Sequence, residues 1–251
     1  MRLSMRHVML FVAISAVQSM QYNHQRKFLL LHGTGTTSGA FLQSPTKFGA
    51  KGFLSGVPCR LDAGNAPGVP INWQYAAIDA GSASGYWWED DDMKGAEASI
   101  KQIEDYLVAQ QGQIAGVVGH EQGATLAALV AARATLAEGP LTLQFAVLAG
   151  GAMPTAQPYI DLLDRLRSSP DRCMPTLHCL SRTDAMHPSG EELAACFASA
   201  EVLWHDRGGA MPDSSWWKET RAFPDRATGI TRYCDQWNVQ PVRGRMTTPG
   251  A

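Results

Sequence analysis

The sequence lacks most of the features that would place it in a specialised class of protein. It has no internal repeat and no low-complexity tract, and its 21 basic residues nearly balance its 23 acidic ones, for a formal net charge of −2. Such a balance creates no long-range field that would attract nucleic acid or an anionic membrane. We therefore predict no nucleic-acid partner, and the 45% hydrophobic content is typical of an ordinary globular protein.

Cysteines are few, and their spacing excludes the common metal and redox motifs. None of the five forms a Cys-x-x-Cys pair, so neither a zinc site nor a thioredoxin-like site is predicted. Buried free thiols are expected instead, although Cys173 and Cys179 could pair in a secreted chain. No metal and no cofactor is predicted. The cysteines are Cys59, Cys173, Cys179, Cys196 and Cys234.

No apolar run is long enough to cross a bilayer as a helix, and the run from Val8 to Val17 is much too short. Arg2 and Arg6 precede this run and small residues follow it, a layout typical of a secretory signal peptide. We predict a signal peptide in residues 1–20, and with it a secretory or extracellular location. The alternative is a loosely packed N-terminal extension on a cytoplasmic protein.

From residue 27 onward, short apolar segments alternate with helix-forming segments. This alternation predicts βα crossovers and an α/β fold, with a doubly wound, mostly parallel sheet and helices on both faces. We assign residues 26–238 to one domain and residues 239–251 to a flexible tail. The predicted strands are 27–32, 71–78, 114–118, 143–149, 176–180 and 201–205, and the predicted helices are 100–107, 122–136, 159–166 and 191–198.

The most informative motif is Gly-His-Glu-Gln-Gly at residues 119–123, between a buried strand and an alanine-rich helix. In α/β-hydrolases this junction carries Gly-x-Ser-x-Gly, the nucleophile elbow, where only small residues fit two positions before and after the nucleophile. An ordinary strand–helix turn with two glycines is the alternative. The placement of the motif favours the elbow.

Several other segments, in the same order along the chain, resemble the FSH family of serine hydrolases. They are Leu31-His32-Gly33, the segment 86–92 with its two tryptophans, the elbow itself, the segment from Leu177 to Asp184, and the segment from His205 to Pro212. The resemblance implies an α/β-hydrolase fold and an ancestral carboxylic-ester or thioester substrate with an apolar acyl chain. A small ester-like or acyl ligand is therefore the expected partner.

The resemblance also implies roles for individual residues. Asp184 is expected to be the catalytic acid, and the backbone N–H groups of Thr34 and Gln122 are expected to form the oxyanion hole. Trp87 and Trp88 are expected to wall the pocket, with packing in the core as the open alternative. His32 is expected to be structural and to orient the loop that carries Thr34.

The chain departs from the family at two catalytic points. The serine position is Glu121, and an ungapped alignment places the histidine position at Gly209, or at Ala210 if it shifts by one residue. A serine hydrolase needs a hydroxyl that attacks, a base that takes its proton and an acid that orients the base. We therefore predict an inactive elbow, in which the carboxylate of Glu121 accepts hydrogen bonds from the oxyanion-hole N–H groups at the start of the helix.

Two other interpretations keep some chemistry at this site. Glu121 could act as a carboxylate nucleophile, as aspartate does in haloalkane dehalogenases, with His187 or His205 as a relocated base. His120 is expected to point away from the site. Alternatively, a metal could bind Glu121, Asp184, His187 and His205, although their spacing matches no known ligand motif.

Overall fold

The fold is built around a sheet of six parallel strands. The computed structural model describes residues 27–44, 74–138 and 141–211, together with residues 50, 223 and 227. Along the sheet the strand order is β2-β1-β3-β4-β5-β6, and each neighbouring pair is parallel. The predicted fold class is therefore confirmed. The strands are β1 (Lys27–Leu31), β2 (Gln74–Ile78), β3 (Ile114–His120), β4 (Phe145–Ala149), β5 (Thr176–Ser181) and β6 (Ala200–His205).

Five helices accompany the strands in the described part of the chain. They are α1 (Ser38–Gln43), α2 (Ala96–Ala109), α3 (Gln122–Leu136), α4 (Gln157–Arg167) and α5 (His187–Ala194). The prediction of a helix at 191–198 is wrong in position, because α5 already begins at His187. Pro188 stands in its first turn, where a fixed φ and a missing N–H are tolerated. Helix α1, which we did not predict, is capped by Thr37, whose hydroxyl accepts from the Ala40 N–H at 3.2 Å.

Successive residues of the central strands pack into two separate cores, one on each face of the sheet. In β1, Leu29 and Leu31 join the cluster that contains α2, α3 and α4, while Phe28 and Leu30 join the cluster that contains Phe41 of α1. Because both faces are covered, the central strands are continuous apolar runs rather than alternating ones. This packing holds the carboxyl ends of β1 and β3 side by side, with Leu31 next to Gly119.

The cysteines follow the sequence prediction in part. Cys179 and Cys196 are buried free thiols, and burial raises the pKa of Cys179 to about 12. The suggested pairing of Cys173 with Cys179 is wrong, because Cys179 is free while Cys173 is in a disulfide. None of the described helices is long and apolar enough to span a membrane. The predicted signal peptide (1–20) and tail (239–251) lie outside the described residues.

The buried His178 of β5 should make the fold sensitive to acid. Its ring lies 3.2 Å from the hydroxyl of Thr176, and burial lowers its pKa from 6.5 to about 3. Between these two values the unfolded chain binds the proton and the folded chain does not, so stability falls as the pH drops through this window. At pH 5 the loss from this residue should be about 2 kcal/mol, measurable by urea denaturation at pH 7 and pH 5.

The control for this prediction is His178→Gln, which removes the titrating group and retains a polar side chain. The variant should be less stable than the native protein at pH 7, but it should lose less free energy of unfolding on going to pH 5. An equal loss in both proteins would show that other groups cause the acid sensitivity. His205, whose pKa burial lowers to about 4, contributes in the same direction.

Candidate active site

Glu121 occupies a sharp corner between β3 and α3. Its backbone has φ 49° and ψ −117°, a conformation that residues with a side chain rarely adopt and that costs about 1–3 kcal/mol. Its carbonyl accepts from the N–H groups of Ala124 and Thr125 at 2.9 and 3.1 Å, which starts the helix. This is the strained strand–turn–helix geometry of a nucleophile elbow.

The two glycines of the motif are required by close backbone contacts. A Cβ atom at Gly119 would lie 2.3 Å from the carbonyl oxygen of Gly123, and one at Gly123 would lie 2.4 Å from that of His32. Both distances are far shorter than any normal contact. The tight turn that the Gly-x-Glu-x-Gly pattern predicts is therefore present in the structure.

The carboxylate of Glu121 contacts the loop after β1. The N–H of Thr34 donates to Oε2 of Glu121 at 3.0 Å. A Cβ atom at Gly33 would lie 2.7 Å from the same oxygen, so only glycine leaves room for the carboxylate. The N–H of Gly35 donates to the carbonyl of Gly85 at 3.1 Å, which fixes the loop in turn. One of the two expected oxyanion donors is thus bound to the side chain of residue 121.

Gln122, the other expected donor, behaves differently. Within the described elbow, its backbone N–H makes no hydrogen bond to the Glu121 carboxylate. Its side chain instead bridges to the tryptophan segment, because Oε1 accepts from the Trp87 N–H at 3.0 Å and Nε2 donates to the Trp88 carbonyl at 3.3 Å. Gln122 therefore connects the elbow to residues 87–88.

Gly209 lies between the two carboxylates of the site. A Cβ atom built on it would stand 3.2 Å from Oδ2 of Asp184 and 3.7 Å from Oε1 of Glu121. A side chain here would extend between the acid and residue 121, where a triad histidine acts. Ala210 is fully buried, so the backbone position between the two carboxylates is that of Gly209 rather than Ala210.

The two histidines considered as a relocated base are hydrogen-bonded to nearby backbone groups. His187 donates from Nδ1 to the Asp184 carbonyl at 2.8 Å, and its ring packs edge-on to Trp204. His205 accepts from the N–H of Arg207 at 3.2 Å through Nδ1. These contacts favour neither His187 nor His205 as the base that the carboxylate-nucleophile hypothesis needs to activate water.

The expectation that His120 points away from the site is wrong, because its ring contacts the backbone of Gly209. Its Nε2–H donates to the Gly209 carbonyl at 2.5 Å, and its ring stacks on Phe41 at 5.9 Å between centroids. Burial lowers the pKa of His120, although the nearby charge of Glu121 acts in the opposite direction. His120 is the last residue of β3, so it projects to the opposite face of the sheet from Gly119. This direction could have been predicted from the sequence by extending the predicted strand to residue 120.

His32 is structural, as the sequence suggested. Its Nδ1–H donates to the Gly33 carbonyl at 2.8 Å, and its Nε2 accepts from the Ala80 N–H at 3.1 Å. This pattern requires the neutral ring, and burial accordingly lowers the pKa of His32. The ring also stacks on Trp87 at 4.6 Å.

A cavity of about 400 Å³ opens beside Glu121 and His120, with Thr34 and Phe41 also in its wall. Trp87 and Trp88 are not among its described lining residues. Trp87 is fully buried and donates to the His32 carbonyl at 2.8 Å, so the core-packing alternative describes it better than the pocket-wall expectation. Trp88 packs partly buried against the same core.

The described residues do not support the metal hypothesis. Among them, no group of three or more His, Cys, Asp or Glu side chains is close enough to hold a metal ion.

Comparison with protein families and curated proteins gives consistent results. The model of the family described as serine hydrolase (FSH1) matches residues 20–221. The chain is 30% identical over 156 residues to Esterase CG5412 of Drosophila melanogaster, covering 56% of this chain and 54% of that protein. It is 30% identical over 122 residues to Esterase OVCA2 of Bos taurus, covering 47% and 52%. The matches span about half the length of these two relatives.

Solved structures with the same fold are distant in sequence. The Bacillus cereus carboxylesterase aligns with a TM-score of 0.54 at 16% identity, covering 82% of this chain and 90% of that one. Est1E of Butyrivibrio proteoclasticus, solved with ferulic acid bound, aligns with a TM-score of 0.54 at 9% identity and the same coverage. At these identities the similarity establishes the α/β-hydrolase fold alone.

Proposed function

The chain belongs to the serine hydrolase (FSH1) family, and on that premise we propose that it is a member that binds a small molecule without hydrolysing it. The observation that carries this proposal is the hydrogen bond from the Thr34 N–H to Oε2 of Glu121 at 3.0 Å. A donor that would stabilise the oxyanion of an ester substrate is bound to a carboxylate of the protein itself.

Three requirements for ester hydrolysis are then unmet at once. Residue 121 has no hydroxyl to attack the carbonyl, and Gly209 has no side chain to accept a proton. The Thr34 N–H is occupied before any substrate arrives. An enzyme that loses a triad member keeps roughly 10³–10⁴-fold catalysis over water through its oxyanion hole and binding. Because the Glu121 carboxylate occupies one donor of the oxyanion hole, part of this residual catalysis is lost as well.

The fold around the site is nevertheless intact, which supports a retained binding role. The elbow is strained at Glu121, the Gly35–Gly85 hydrogen bond holds the loop that carries Thr34, and Asp184 accepts from the Met186 N–H at 2.9 Å. The cavity of about 400 Å³ lies within the size range of small-molecule sites. The relatives whose names describe them as esterases suggest that the ancestral ligand was a carboxylic ester.

Fluorophosphonate labelling tests the loss of hydrolytic function. We expect the native protein to stay unmodified in intact-mass measurements, because it has no activated serine at the elbow. A labelled peptide that contains residue 121, or turnover of a p-nitrophenyl ester that disappears in Glu121→Gln, would contradict the proposal. A positive control is any active serine hydrolase treated in the same tube.

A further inference from the structure

We infer that the cavity beside Glu121 selects a small organic cation, a protonated amine with an apolar body, in place of an ester. This inference rests on the proposed function, because it needs an ionised Glu121 that takes no part in covalent chemistry. In a hydrolase, the N–H groups at this position attract a negatively charged oxygen. Here the bond from Thr34 to Glu121 satisfies that donor internally, and the carboxylate adds a negative charge to the cavity wall.

The Glu121 carboxylate has unused capacity to accept hydrogen bonds. A carboxylate offers about four lone-pair sites, and among the described residues only the Thr34 N–H donates to it, through Oε2. Oε1 faces the backbone of Gly209, 3.7 Å from the position of a Cβ atom there. An ammonium group has three donors and can bond to such an oxygen with the added strength of a charge-assisted hydrogen bond.

A second carboxylate reinforces the negative field. Oδ2 of Asp184 lies 3.2 Å from the same Cβ position at Gly209, and both Glu121 and Asp184 raise the pKa of His120 in the cavity wall. Burial is the larger influence, so the net shift of that pKa is downward. None of the described residues that line the cavity is a lysine or an arginine. An anionic ligand therefore has no partner of opposite charge among them.

The remaining wall suits an apolar body next to the ammonium. Phe41 is almost fully buried and its ring lies against that of His120. The small part of Phe41 that is exposed is apolar carbon, and it closes this side of the cavity. The charge and the acceptor oxygens of Glu121, beside the apolar carbon of Phe41, define a small protonated amine with an apolar body as the matching ligand class.

The test compares three probes of similar shape: benzylammonium, benzyl alcohol and benzoate, titrated at pH 7 and followed by ligand-observed NMR or calorimetry. We expect benzylammonium to bind at least about tenfold more tightly than benzyl alcohol, and benzoate to bind more weakly than both. Glu121→Gln should weaken benzylammonium binding by about 10–100-fold and leave benzyl alcohol unaffected. Glu191→Gln, which removes an exposed charge on α5, should change neither.

Three results would overturn the inference. They are equal binding of the amine and the alcohol, an unchanged amine affinity in Glu121→Gln, and no binding of any probe to protein whose melting temperature shows that it is folded. Each leaves the proposed function standing, because fluorophosphonate labelling reports reactivity and not ligand charge. Conversely, a labelled native protein would refute the proposed function whichever probe binds.

Discussion

The double variant Glu121→Ser/Gly209→His is expected to hydrolyse p-nitrophenyl butyrate at least about 10²-fold faster than the native protein. The serine supplies a hydroxyl at the strained corner, and loss of the carboxylate releases the Thr34 N–H. A histidine at position 209 begins 3.2 Å from Oδ2 of Asp184, so its ring can bridge the acid and residue 121. Initial rates and labelling of the introduced serine by a fluorophosphonate measure the effect.

The single variants are the matched controls for this gain of activity. Triad members act as a unit, so Glu121→Ser and Gly209→His should each remain near the native rate. Adding Asp184→Asn to the double variant should remove most of the gain. If the double variant is folded, as judged by its melting temperature, and still inactive, then Gly209 does not stand at the base position.

The substitutions Gly119→Ala and Gly123→Ala should each lower the free energy of unfolding by about 3 kcal/mol or more, or prevent folding. The added methyl group would lie 2.3 Å from the Gly123 carbonyl oxygen in the first case and 2.4 Å from that of His32 in the second. Both obstacles are backbone atoms of elements that are themselves buried. Neither can move without separating β1, β3 and α3. Urea denaturation of the purified variants measures the loss.

Gly39→Ala provides the matched control for the elbow glycines. Gly39 lies inside α1, and a Cβ atom there would meet no other atom within 4 Å. Alanine should therefore stabilise the protein by about 0.5–1 kcal/mol through its higher helix propensity. A loss below about 1 kcal/mol at both Gly119 and Gly123 would show that the turn relaxes more easily than its contacts indicate.

The strands and the elbow were predictable because their signals are local. Buried parallel strands are short apolar runs, and a tight strand–helix turn requires glycine on both sides, as at Gly119 and Gly123. The start of α5 was missed because its first turn, with Pro188, carries no apolar periodicity. The spacing of apolar residues reveals the buried face of a helix, but it does not show at which residue the helix begins.

The details of the site depended on contacts between distant parts of the chain. Thr34 and Glu121 are 87 residues apart, and their bond is set by the register of β1 on β3. The direction of the His120 ring and the burial of Trp87 follow from packing against other elements. The sequence therefore identified the candidate residues of the site. Their contacts could be assigned only from the tertiary structure.

In the hydrogen bond between Thr34 and Glu121, the donor is a main-chain N–H and the acceptor is a side-chain carboxylate. Every amino acid except proline would supply the same N–H at position 34, so mutation there has almost no means of undoing the bond. The acceptor, in contrast, belongs to the side chain of Glu121, so a single substitution there removes it. The hydrogen bond at this site is therefore determined by the side chain at residue 121, whereas residue 34 can vary in sequence without changing it.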